Sequence, residues 1–83
     1  MLIAMMEITP NERHNILNNH KHFDESTLCY WFNRITDRVN YLNPLINEMA
    51  LAKMSLRTVS KELAQEVFEI TELQKILETY KNQ

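Results

Sequence analysis

The sequence predicts an all-α protein, a three- or four-helix bundle with a long C-terminal amphipathic helix and a tendency to oligomerise. Three observations predict it. Glycine is absent from the 83 residues, which removes Gly-rich phosphate loops, dinucleotide fingerprints and tight hairpins, whose backbones need positive φ or close approach. Both prolines, Pro10 and Pro44, follow a residue able to cap a helix. Apolar side chains then recur at spacings of three and four along two long stretches. Hydrophobic residues make up 45% and charged residues 24%, a balance that folds. A chain of this length buries about two thirds of its unfolded surface, enough for a single marginal core, so residues 1–83 are expected to form one domain.

Residues 1–8 are an apolar N-terminal segment. Met1-Leu2-Ile3-Ala4-Met5-Met6 has no basic residues before it and Glu7 after it, too short for a signal-peptide core or a membrane span. Helix 1 is expected over 9–19. Thr9-Pro10-Asn11-Glu12 reads as a capping box, with Thr9 as N-cap, Pro10 preset in the first turn and Glu12 reaching back to the Thr9 amide. Asn18-Asn19 offers its end, and His20 to Phe23 reads as a loop.

Helix 2 is expected over 24–41. Asp24 is its N-cap and Glu25 places negative charge in the first turn. Leu28, Trp31, Phe32, Ile35 and Val39 mark one face. Asn43-Pro44 repeats the cap-then-proline signature and is expected to start the third element, a long or broken helix over 43–81. Leu45, Met49, Ala52, Leu56, Val59, Leu63, Val67, Ile70, Leu73, Leu77 and Tyr80 are separated only by threes and fours, close to the coiled-coil period. As one helix this element would be about 55 Å long, against a diameter of about 30 Å for a compact domain of this size. It must therefore break, near Met54-Ser55 or Ile70-Thr71, or project and pair with another chain. Glu66 falls inside the stripe, whereas Phe68 and Ile76 point away and suggest a second buried face.

The residues expected to bind a partner are Leu63, Val67, Phe68, Ile70, Leu73, Leu77 and Tyr80, packing as a ridge against a second copy or a protein target. No cofactor, metal or catalytic residue is expected. His14, His20 and His22 lack a familiar ligand spacing and read as surface or loop residues. Asp24 and Glu25 diverge on a helix, and a cap explains them. Cys29 has no disulfide partner in the chain and reads as a small buried hydrophobe; with no signal segment, this points to the cytoplasm. Trp31, with Tyr30 and Phe32, reads as a core anchor.

Two resemblances bear on function. Met54-Ser55-Leu56-Arg57-Thr58-Val59-Ser60-Lys61 resembles the turn and recognition helix of lac-repressor-type helix-turn-helix proteins. By position, the resemblance implies Ser55 as the helix cap, Arg57, Thr58 and Lys61 as the DNA-facing set and Val59 as a core contact. Lys53 stands where that family has its turn glycine, and a net charge of −2 leaves phosphate attraction to this patch alone. Nucleic acid is therefore the alternative partner, and a solvated basic face is the simpler reading of the pattern. The whole chain, short, rich in asparagine and free of glycine, resembles the small accessory proteins of T4-like tailed phages that inhibit rapid lysis. The run Leu42-Asn43-Pro44-Leu45-Ile46-Asn47-Glu48-Met49-Ala50-Leu51 and the helix after it carry the likeness. That resemblance implies a cytoplasmic protein that binds the soluble end of a holin and delays lysis. The function expected is thus non-enzymatic regulation by helix-mediated protein binding, without membrane insertion of its own.

Overall fold

The computed structural model describes residues 6–51 and 61–81, without the side chains of residues 45, 46 and 48–51. Within these, α1 spans Pro10–Asn19, a single 3₁₀ turn His20–His22, α2 Glu25–Leu51 and α3 Lys61–Lys81. The described residues contain no strand, so the all-α class holds. No helix among them is long and apolar enough to cross a membrane.

Local chemistry sets the starts. The Thr9 hydroxyl accepts the Glu12 amide at 3.2 Å and the Glu12 carboxylate accepts the Thr9 amide at 2.9 Å, which closes the capping box around Pro10. The Asp24 carboxylate accepts the Thr27 amide at 2.8 Å at the head of α2. In the link between these helices, His20 is a buried residue rather than a surface one. Its Nδ1 lies 3.0 Å from the Ile16 and Leu17 carbonyls, and its ring meets Tyr80 edge-on at 4.9 Å.

Two sequence expectations are corrected along α2 and α3. Pro44 does not begin a helix; it lies inside α2, which continues to Leu51. Proline removes one amide donor and crowds the carbonyl four residues back. Here Asn40 and Pro44 are both exposed, and buried Leu42 holds the intervening turn on the core. The second correction concerns a break near Ile70-Thr71: α3 runs through it. A break near Met54-Ser55 falls outside the described residues.

Cross-helix contacts give the directions. Arg38 meets Glu66, Thr36 meets Gln74 and the Lys81 ammonium sits over the Phe32 ring, so α2 and α3 are antiparallel. Arg13 meets Glu69 and His20 meets Tyr80, so α1 and α3 run parallel. Helix α3 packs against both other helices.

One apolar core results, from Ile8, Ile16, Ile35, Leu42, Ile70, Leu73 and Leu77, with Leu28, Trp31, Phe32, Val39, Leu63 and Val67 packed around it. Trp31 is a half-buried member, whereas Tyr30 is 52% exposed and Cys29 only partly buried. Part of the ridge on α3 belongs to this core. Ile70, Leu73 and Leu77 are buried within the chain, at 1%, 3% and 0% exposure. The 3.5-residue period marks a face that needs covering, and at Ile70, Leu73 and Leu77 the chain's own helices cover it.

Candidate functional site

Ionic contacts fix α1 on α3 and shape the surface between them. Glu66, which is 0% exposed, receives Arg38 through two parallel bonds, Nε to Oε2 at 2.8 Å and Nη2 to Oε1 at 2.9 Å. The same Oε2 accepts the Ile8 amide at 2.9 Å, and the Ile8 carbonyl accepts Arg13 Nη1 at 2.7 Å. Arg13 Nε reaches Glu69 at 2.9 Å. On the other side of the segment, Arg34 Nη1 reaches Glu12 at 2.9 Å, and its guanidinium lies 5.2 Å from the Trp31 ring centre. Both backbone groups of Ile8 are thus held by charged side chains, where the bonds are stronger than neutral ones. The chain enters α1 at a fixed angle.

These contacts set protonation. Burial would raise the Glu12 carboxyl, but the Thr9 amide and hydroxyl and the Arg34 guanidinium outweigh it and hold it below the ordinary value. Gln65 and then Arg13 lower Glu69 likewise. The bidentate bond to Glu66 raises the Arg38 guanidinium. Each group is therefore held in its charged form near neutrality.

Between α1 and α3 lies an open groove of about 890 Å³. Pro10, Arg13, His14 and Leu17 line it from α1, and Gln65, Phe68, Glu69, Glu72, Leu73 and Ile76 from α3. Glu7, Lys61 and Glu62 also line it. Two apolar side chains stand out of this surface: Phe68 at 68% exposure and Leu17 at 52%. An aromatic ring left in water beside further apolar surface is the type of anchor that binding sites use. None of the lining residues carries a hydroxyl or thiol. Among the described residues no group of three His, Cys, Asp or Glu side chains is placed to hold a metal ion. His14 Nε2 accepts from the Asn18 Nδ2 amide at 2.8 Å, and His22 is exposed.

The residues expected to bind a partner divide sharply. Ile70, Leu73 and Leu77 belong to the core, Leu63 and Val67 pack half-buried against it, and Tyr80 packs on His20. Phe68 alone of that set stands well out of the surface, and the residue paired with it as off-stripe, Ile76, lies in the same groove. The two off-stripe residues do share a face, this groove, but Phe68 is exposed there rather than buried. Leu17, Pro10 and His14 carried no binding role in the sequence reading, although their spacing of four and three marks a face of α1 distinct from Ile16. Of the helix-turn-helix set, Ser55, Arg57 and Thr58 lie outside the described residues, as do Lys53 and Val59. Lys61 is the exposed first residue of α3, at one end of the groove. No family model, curated protein or solved structure matches the chain.

Proposed function

We propose that this protein is a non-enzymatic regulator that acts in the cytoplasm by seating an amphipathic helix of a target protein between α1 and α3. The observation that carries the reading is the exposure of Phe68 and Leu17, which line one groove together with Leu73 and Ile76. A helix laid there would cover this apolar surface with residues at i, i+3 or i+4 and i+7. Burying a large apolar side chain contributes about 1.5–3 kcal/mol, so the two exposed anchors supply about 3–6 kcal/mol, and the partner's own apolar side chains supply the rest of what a stable complex needs. The phage resemblance implies the soluble end of a holin as the first target to try.

A photo-crosslinker placed at residue 68 tests the proposal, with the same group at exposed Asn33 on α2 as the control. A discrete adduct with one target protein, formed from position 68 and absent from position 33, is expected. Identical adduct patterns from both positions would remove the groove from consideration.

A further inference from the structure

We infer that the groove selects a cationic amphipathic helix, an inference that rests on the proposed binding role of the groove and adds the charge of its occupant. The groove is apolar inside and acidic at its edges. Glu62, Glu69 and Glu72 follow one another down the α3 wall, and Glu7 lines the same opening. Two cations, Arg13 and Lys61, line the groove as well, and the first of them is committed. Arg13, which is buried, spends its guanidinium on Glu69 and the Ile8 carbonyl. The Lys75 ammonium stands 3.7 Å from Glu72 in an exposed pair, a contact worth little in water. Lys61 stands at the same end of the groove as Glu62, which leaves Glu7, Glu69 and Glu72 as the acidic excess.

Glu69 is held in its carboxylate form by Gln65 and Arg13. A helix presenting Leu-type anchors to Phe68 and Leu17 would bring its flanking side chains beside Glu62 and Glu72. Lysine or arginine there gains attraction, and glutamate there meets like charge. The wall from Glu62 to Ile76 rises about 21 Å, which matches a partner segment of about 15 residues.

The test uses two labelled peptides of about 15 residues with the same leucines at i, i+3, i+4, i+7 and i+11. One carries lysine and alanine at its other positions, the second glutamate and alanine. Fluorescence anisotropy is read at about 0.1 M and about 1 M salt, where screening lengths differ roughly threefold. The lysine peptide is expected to bind about tenfold more tightly at the lower salt, with the gap shrinking at the higher. Glu62→Lys with Glu72→Lys should reverse the preference, and Phe68→Ser should weaken the lysine peptide at least tenfold; circular dichroism checks that both variants fold. Equal affinity for the two peptides, both weakened by Phe68→Ser, overturns charge selection and leaves the groove reading standing. Binding that ignores Phe68→Ser, or no binding of either peptide, overturns both. Self-association that Phe68→Ser abolishes would make a second copy the occupant and overturn the inference.

Discussion

Arg38 on α2 and Glu66 on α3 meet through two parallel hydrogen bonds of 2.8 and 2.9 Å, with the carboxylate sealed from solvent. The pair fixes the register of the two antiparallel helices, because a one-residue slip of either would carry a charge into the apolar core. Glu66 also holds the Ile8 amide, so one carboxylate ties together α2, α3 and the segment that leads into α1.

Removing one partner should therefore cost more than the pair contributes. Glu66→Gln removes the charge to which the buried Arg38 guanidinium is bonded and is expected to destabilise the fold by about 3–5 kcal/mol. That is a large share of the roughly 4–12 kcal/mol available to a chain of this size. Arg38→Met with Glu66→Leu removes both charges and should recover most of the loss, apart from the orphaned Ile8 amide. Urea unfolding followed at 222 nm checks both. A double variant no more stable than Glu66→Gln would show that the shape of the pair matters more than its charge balance.

How much of this was legible follows from the range of each interaction. The capping box of Thr9 and Glu12 and the cap at Asp24 act within three residues, and they stand where the pattern put them. The apolar face of α3 was equally clear, but periodicity shows that a face is covered without saying by what. Ile70 and Leu77 read the same whether α1 and α2 or another chain lies against them. Pro44 misled because a residue able to cap, followed by proline, looks alike at a helix start and at an exposed position in mid-helix. Glu66 was visible inside the stripe, whereas its partner lies 28 residues away. The one trace of that partner is that Arg34 and Arg38 continue the row of Trp31 at steps of three and four.

Replacing Pro44 should stabilise the protein. In Pro44→Ala the amide at 44 can bond the Asn40 carbonyl, and the penalty for proline in a helix interior, about 3 kcal/mol, is relieved. Residue 44 is exposed, so no packing is lost. A rise in the melting temperature of several degrees is expected in a thermal scan. An unchanged or lower value would mean that α2 depends on the bend at this position.

Thr9→Ala should cost about 1 kcal/mol, since the Glu12 amide loses its acceptor and the box opens. The loss should be local first. Amide exchange at Asn11, Glu12 and Arg13 is expected to quicken before exchange in α3 does, and uniform acceleration across the chain would contradict a local cap.

Acid should weaken the fold through Glu12 and Glu69. Both carboxyls titrate below their ordinary value of 4.5 in the folded protein. Their stabilisation is complete above the unfolded value and disappears as the pH drops through the lowered folded values. The urea midpoint should hold steady from about pH 7 to about pH 5 and fall below about pH 4. In Glu12→Gln with Glu69→Gln the fall should be shallower. An acid slope identical to wild type would assign the loss to other carboxyls.

Two apolar residues only two positions apart on α3 should behave in opposite ways. Ile70 is 1% exposed and lies against α1 and α2; Phe68 is 68% exposed in the groove. Ile70→Ala opens a cavity and should cost about 2–5 kcal/mol, lowering the melting temperature by 10 °C or more. Phe68→Ser removes a side chain that is mostly in water, and should change stability by about 0.5 kcal/mol or less. Because the seam is covered from within, the melting temperature of the wild type should not depend on protein concentration. A concentration-dependent melt, with Phe68→Ser costing more than Ile70→Ala, would mean that α3 turns its outer face to a second chain.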